Sequence, residues 1–178
     1  FKGDILCATP SYALNIAEVA AGPGVDLRQA LVRLGIFGAE PWSDAMRRDL
    51  EARIGIKAID FYGLSEVMGP GVAGECLERK GLHLAEDHFL VEVIDPETLE
   101  PVAPGGTGEL VVTTLTREAL PLPRYRTRDL TSLDASPCAC GRTLARMGRV
   151  RGRSDDLVIV KGARVFPSEI EAVLMEIE

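Results

Sequence analysis

The 178-residue chain is 46% hydrophobic and 26% charged, enough apolar material for a packed core, which excludes a disordered or fibrous protein. Lys plus Arg number 20 against 27 for Asp plus Glu, a formal charge of -7, so nothing in the overall charge favours nucleic acid or an anionic membrane as a partner. No stretch approaches the roughly 18 apolar residues of a membrane span, the start Phe1-Lys2-Gly3-Asp4 has no signal-peptide pattern, and four cysteines are too few and too unevenly spread for a secreted disulfide framework. A cytoplasmic protein with small-molecule partners is the expectation.

In chain order, Asp4 to Ala8 is a short apolar run, read as a strand. Ser11 is placed to cap a helix with Tyr12, Ile16, Val19 and Ala20 on its apolar side, stopped by Gly22. Leu31 to Phe37 reads as a buried strand that Gly35 weakens. Ser43 caps a second helix with Met46, Leu50 and Ile54 four residues apart and Gly55 just past its end, and Lys57 to Tyr62 is a third strand. Strand-helix-strand-helix-strand predicts a parallel sheet with ligand beyond the strand C-termini. After Gly63 the texture changes to short Val-, Leu- and Thr-rich runs between Gly and Pro. Phe89 to Ile94, Glu109 to Leu115 and Leu122 to Leu133 predict a small antiparallel β subdomain. Leu157 to Val160 and Arg164 to Phe166 flank Lys161-Gly162-Ala163 as a hairpin. Ser168-Glu169-Ile170-Glu171 reads as a capping box before a helix with Ile170, Val173, Leu174 and Ile177 on one face, running to the last residue. The fold class is therefore α/β: residues 1-72 the α/β part of a large domain, 73-152 its β subdomain, and 153-178 a hinge and the start of a small α+β domain. A chain that starts beside a strand and stops inside a helix reads as an excerpt of a longer protein.

Polar groups stand where this architecture places ligands. Gly38-Ala39-Glu40-Pro41 leaves one strand and Asp60-Phe61-Tyr62-Gly63-Leu64-Ser65-Glu66 leaves the next, both at the same sheet edge. A Ser and a Glu side by side at a strand exit suit a phosphate oxygen and its Mg²⁺. In Arg124-Tyr125-Arg126-Thr127-Arg128-Asp129, the one carboxylate can accept two hydrogen bonds from a sugar diol, or the whole segment is a solvated, charged strand. Gly152-Arg153-Ser154-Asp155-Asp156 by itself is a linker with a turn.

Taken together and in this order, Gly38 to Trp42, Tyr62 to Gly71, Arg124 to Leu130 and Gly152 to Asp156 resemble the motifs of the adenylate-forming acyl-CoA ligases, in particular the phenylacetate-CoA ligase family. The resemblance implies a two-step reaction in which a carboxylate and ATP give an acyl adenylate and pyrophosphate, and coenzyme A then displaces AMP. It implies that Glu40, Pro41, Asp60, Phe61, Tyr62 and Gly63 lie against the nucleotide, with Tyr62 stacking on adenine. It further implies that Ser65 contacts the α-phosphate and Glu66 holds Mg²⁺, so that these two carry the catalysis. Asp129 and Arg153 would bind the ribose, Asp155 would be the hinge, and Gly69-Pro70-Gly71 would border the acyl pocket. The family's glycine-rich phosphate loop and its C-terminal-domain lysine are not found in these 178 residues, so the chain is expected to be inactive alone.

Cys138-Ala139-Cys140-Gly141 reads as a compact metal knuckle, and with Cys76 and His83 it would give a Cys₃His set suited to tetrahedral Zn²⁺, as some members of the resembled family carry. The other reading is free thiols with a surface imidazole. Cys7 is expected in the core and His88 to be structural or exposed. ATP, Mg²⁺, coenzyme A and structural Zn²⁺ are the implied cofactors and cosubstrates, with an aromatic acid as substrate. The assembly is left open, with a homodimer as one option. The rival functions are a non-catalytic nucleotide-binding or zinc-stabilised interaction module, and an adenylating enzyme that loads a carrier-protein thiol.

Overall fold

Three strands near the N-terminus pair in parallel: β1 (Ile5–Ala8), β2 (Leu34–Gly38) and β3 (Lys57–Leu64), with Ile5 opposite Leu34 and Leu34 opposite Lys57. The computed structural model describes residues 3–67, 69–156, 158–160 and 163–174. Helices α1 (Pro10–Ala21) and α2 (Asp44–Ile54) make the crossovers and pack on each other. In α2 the expected signals all operate. Ser43 Oγ accepts the Met46 N–H at 3.1 Å, Met46, Leu50 and Ile54 are buried, and Gly55 ends the helix in the left-handed region at φ 78.

Helix α1 departs from its reading. Thr9 rather than Ser11 is the N-cap residue, without a side-chain capping bond, because Pro10 opens the helix where its fixed φ fits and its missing N–H costs nothing. The buried face is Pro10, Ala13 and Ala17, small residues that let the helix approach closely, whereas Tyr12 and Val19 are exposed. Strand β2 begins at Leu34 rather than Leu31, since a 3₁₀ turn at Leu27–Gln29, capped by Asp26, takes up the preceding chain. Gly35 does not weaken that strand but is required by it: a Cβ there would lie 2.2 Å from the Phe37 ring and 2.7 Å from Ile56. Phe37, Trp42, Met46, Leu50, Ile54, Ile56 and Ala58 form the core of this region.

Beyond β3 the sheet continues without a break. Strands β4 (Gly69–Glu75), β5 (Leu82–Leu84), β6 (Phe89–Ile94), β7 (Thr107–Thr114), β8 (Tyr125–Asp134) and β9 (Arg146–Met147) extend it in the order β1-β2-β3-β4-β5-β9-β8-β7-β6, antiparallel from β3 onward. β4 and β5 join the parallel part to the antiparallel part, and position 72 lies inside β4. A second core of Val67, Val72, Leu82, Leu84, Phe89, Leu110, Val112 and Met147 fills this half. β10 (Gly152–Arg153) pairs with β8 and sets Arg153 opposite Asp129.

The expected hairpin is present as β11 (Val158–Val160) against β12 (Ala163–Val165), while Lys161 and Gly162 of its turn lie outside the described residues, as do Leu157 and Ile177. Helix α3 spans Pro167–Leu174. Its start is two residues earlier than the capping-box reading: Glu169 reaches back to accept the Phe166 N–H at 3.0 Å, with Pro167 in the first helical position. Among the described residues no helix is long and apolar enough to cross a membrane.

Candidate functional site

The exits of β2 and β3 open on a cavity of about 340 Å³, of the size that holds small ligands. Every residue expected at the nucleotide except Ser65 lines it: Glu40, Pro41, Asp60, Phe61, Tyr62, Gly63, Asp129 and Arg153. The centre is a polar triad. The Tyr62 hydroxyl donates to Asp129 Oδ2 at 2.5 Å, and Arg153 Nη1 stands 3.8 Å from Asp129 Oδ1. Burial pushes the Tyr62 phenol up, and the neighbouring Asp129 charge adds to it. Burial also pushes the Asp129 carboxyl above its usual range, only partly offset by the Tyr62 hydrogen bond and the Arg153 charge. The pair thus holds a poorly solvated carboxylate facing an open cavity. Arg153 is itself gripped by Asp155, with Nε and Nη2 each 2.9 Å from a carboxylate oxygen. The expected hinge residue is therefore exposed, directly after β10, and bonded to a cavity residue.

Ser65 belongs to a second cavity of about 530 Å³, bordered by Cys7, Thr9, Ile36, Phe37, Gly69 and Pro70, which shares Gly38, Ala39, Phe61, Gly63 and Leu64 with the first. Cys7 is exposed toward this space and not in the core. Glu66 is exposed on the turn after β3 and lines neither cavity. That turn is held by Arg117, whose Nη1 donates to the carbonyls of Glu66 and Val67. Glu40 has a task of its own: its Oε1 accepts the Ser11 N–H at 2.7 Å, serving the free amide end of α1. His88 is exposed and bonds Thr116 through Nδ1.

Two arginines, half-buried Arg149 in the cavity wall and buried Arg47 behind it, have no signal in the sequence. Arg149 donates to Asp60 Oδ2 at 2.9 Å, to Asp44 Oδ1 at 2.9 Å and to the Trp42 carbonyl at 2.6 Å. Its guanidinium lies 4.9 Å from the Trp42 ring centroid, and Arg47 lies 4.7 Å from the same ring. Arg47 is paired in turn with buried Glu75 at 2.8 and 3.0 Å, and Glu75 accepts the Asp60 N–H at 2.8 Å. An arginine in a chain of alternating polarity reads as surface, and only strand pairing reveals these as interior ties.

On the opposite side of β5, Cys76, His83, Cys138 and Cys140 bring one donor atom each within 4.8 Å of the others. Tetrahedral Zn²⁺ with Zn–S of about 2.3 Å and Zn–N of about 2.0–2.1 Å requires S···S near ~3.8 Å and S···N near ~3.6 Å. Cys76 Sγ is 3.8 Å from Cys138 Sγ, and Cys140 Sγ is 3.5 Å from His83 Nε2, so the donor set fits. Gly141, at φ 86, closes the Cys138–Gly141 turn with a 2.9 Å bond. The Arg142 backbone N–H brings the Cys140 thiol down to about 6, whereas burial pushes Cys76 up.

Comparison with known proteins shows the family. The AMP-binding enzyme family matches residues 1–116, and the chain belongs to that family. More particularly, it is 52% identical over 179 residues to phenylacetate-coenzyme A ligase of Pseudomonas putida, covering 100% of this chain and 40% of that enzyme. The chain thus spans about two fifths of the length of the curated relatives it matches. Among solved structures it resembles 2-hydroxyisobutyryl-CoA ligase in complex with 2-HIB-AMP in the postadenylation state, at TM-score 0.93, 29% identity and coverage of 99% of this chain and 38% of that one. The same ligase in the thioesterification state, with 2-HIB-AMP and CoA, gives TM-score 0.82 at the same identity and coverage.

Proposed function

We propose that this chain is the nucleotide-binding part of an ATP-dependent aryl-acid CoA ligase acting on a phenylacetate-like acid. The observation that carries the reading is the meeting of Tyr62, Asp129 and Arg153 in one cavity at the exits of two parallel strands, where open α/β sheets bind ligands. The 52% identity to a phenylacetate-coenzyme A ligase supports it.

In the first half-reaction the acid's carboxylate oxygen attacks the α-phosphorus of ATP, and the bond to pyrophosphate breaks. Tyr62 offers its ring face to the adenine beside Glu40 and Pro41. Asp129, an acceptor only when ionised, takes the ribose hydroxyls, which supply the donors its buried carboxylate lacks. Ser65 reaches the α-phosphate from the second cavity, whose apolar wall of Ile36, Phe37 and Pro70 is this chain's share of the acyl pocket. Glu66, exposed on the turn after β3 and next to Ser65, suits Mg²⁺, which takes one or two carboxylates with substrate phosphates and draws charge off them when bound. In the second half-reaction the thiol sulfur of coenzyme A attacks the acyl carbon, and AMP leaves. A change of shape between the two steps, for which Asp155 is the proposed hinge, is supported by the lower likeness to the thioesterification state than to the postadenylation state of one ligase. The Cys₃His cluster is read as a structural zinc site, since four protein donors leave no open position for chemistry. A cytoplasmic location is part of this reading, since the cytoplasm supplies both ATP and coenzyme A.

The test is acid-dependent exchange of pyrophosphate into ATP by the intact enzyme, followed by thioester formation across a panel of aromatic acids. Exchange and a CoA thioester with an aryl-acetic acid are expected. Exchange with transfer only to a carrier-protein thiol would change the acceptor, and no exchange with any acid would leave a non-catalytic nucleotide-binding module.

A further inference from the structure

The residue that matters most in the cavity, Asp129, sits on a distortion of the sheet. The β7–β8 ladder runs regularly to Glu109 opposite Leu130 and resumes at Val111 opposite Arg126, so one residue of β7, Leu110, faces Thr127, Arg128 and Asp129 of β8. Such bulges re-aim a side chain at the cost of ladder bonds. Arg128 takes the left-handed region at φ 71 to make the turn, a conformation that a long side chain adopts only under constraint.

Two side chains replace the missing ladder bonds. The Thr127 hydroxyl donates to the Leu110 carbonyl at 2.9 Å and accepts the Asp129 N–H at 3.1 Å, so one oxygen ties the bulge to β7 and fixes the backbone of Asp129. Glu109 has no solvent exposure at all. Its Oε1 accepts the Arg128 N–H at 3.3 Å and Arg126 Nε at 3.0 Å, and its Oε2 accepts Arg126 Nη2 at 2.6 Å. A carboxylate taken wholly out of water needs both a partner charge and hydrogen bonds, and here it spends one bond on an amide that the bulge would otherwise leave unpaired. The carbonyls of the same bulge receive the chain leading to the hinge: Ser154 N–H bonds the Arg128 carbonyl at 2.8 Å and Arg153 Nη1 the Thr127 carbonyl at 3.4 Å.

We propose that Thr127 and Glu109 are positioning residues for nucleotide binding, holding the bulge that presents Asp129 to the ribose. The proposal rests on the reading of Asp129 as the ribose acceptor. Neither residue lines the cavity, so each acts through the residues it holds there: Asp129 above all, and for Thr127 also Tyr62, whose hydroxyl its side chain meets, and Arg153, which its carbonyl accepts.

The experiment compares Thr127→Val, Thr127→Ser and Asp129→Ala in the intact enzyme, measuring AMP affinity by calorimetry, KM for ATP and for the acid, and melting temperature. Thr127→Val keeps the volume and loses both hydrogen bonds; Thr127→Ser keeps the hydroxyl and loses a buried methyl. AMP affinity should fall about tenfold in the Val variant, the scale of losing a buried hydrogen-bonding group, with KM for ATP rising in step and KM for the acid unchanged. The Ser variant should bind AMP nearly as the parent does, although its melting temperature falls at least as far. Glu109→Ala, which removes the acceptor for the Arg128 amide, should likewise raise KM for ATP and leave KM for the acid unchanged, whereas Glu109→Gln, which keeps an acceptor there, should bind AMP closer to the parent. Equal rises in both KM values would overturn the positioning role of Glu109. AMP affinity unchanged in Thr127→Val while Asp129→Ala loses it would overturn the positioning role alone. Equal losses in the Val and Ser variants would also overturn it, in favour of simple packing. Unchanged affinity in Asp129→Ala would overturn the ribose reading, and this proposal with it.

Discussion

Leu82 and His83 are neighbours on β5, yet one lines the nucleotide cavity and the other belongs to the thiol cluster behind it. The two regions share a sheet and differ in what their polar groups lack. In the cavity, Asp129 is half-buried with one short bond and a distant guanidinium, so its charge is under-solvated until a ligand brings donors. In the cluster, four donors already lie within 4.8 Å of one another, two of the pairs at the separations a tetrahedral metal sets, and three of the four residues are buried. One region holds back an interaction for its ligand; the other is arranged for cohesion. Damage to the first should therefore cost binding with little loss of stability, and damage to the second should cost stability and reach function only through it.

The largest effect should come from the metal. Chelation, or Cys138→Ser or Cys140→Ser, should lower the melting temperature by on the order of 10 °C or more, because a structural zinc contributes folding free energy directly. Cys7→Ser should leave metal content alone. Elemental analysis with melting curves checks this; less than half an equivalent of zinc, with chelator-insensitive melting, would return the cluster to ordinary thiols.

Next in size is Asp129→Asn, which separates binding from stability. Because burial raises the folded-state pKa of Asp129, the stability tied to its protonated form is fully present below the ordinary 3.8 and is lost as pH rises through the raised value. At neutral pH the ionised carboxylate is thus the less stable form. Asn should leave the melting temperature unchanged or raise it, with the difference closing as pH falls below about 4, while nucleotide affinity drops about tenfold. A neutral-pH loss of stability that matches the loss of binding would break the distinction between the two regions.

The smallest expected effect is on a ratio. Asp155→Pro fixes φ near -65° beside the turn that follows β10, and should slow thioester formation severalfold more than adenylation. Equal loss in both half-reactions would argue for damage at the Arg153 clamp and not for a hinge.

Local signals made part of this molecule legible. Ser43, the Met46-Leu50-Ile54 spacing and Gly55 define α2, and the run Phe89–Ile94 matches β6 end to end. Signals failed where tertiary pairing overruled them. Gly69-Pro70-Gly71 has poor strand propensity, but pairing of Gly69 and Pro70 with Leu64 and Gly63 of β3 draws it into β4. Tyr12 and Val19 fit a helical apolar face, but the neighbouring α2 is met by Ala13 and Ala17. In the site, Tyr62, Asp129 and Arg153 were legible through the order of their motifs. Arg149, which bonds Asp60 from 89 residues away, Arg47 with Glu75, and Glu109 with Arg126 were not. A buried charge is recognised by its partner, and the partner is supplied by strand register that no short window contains.

Calorimetric titration of AMP into the intact enzyme and its Asp129→Ala variant decides whether Asp129 is the ribose acceptor of an adenylate-forming enzyme. The account predicts a loss of about 1.5–3 kcal/mol in the variant, the scale of a hydrogen bond to a charged group, with the folded state intact. Equal AMP affinity in the two proteins would contradict it.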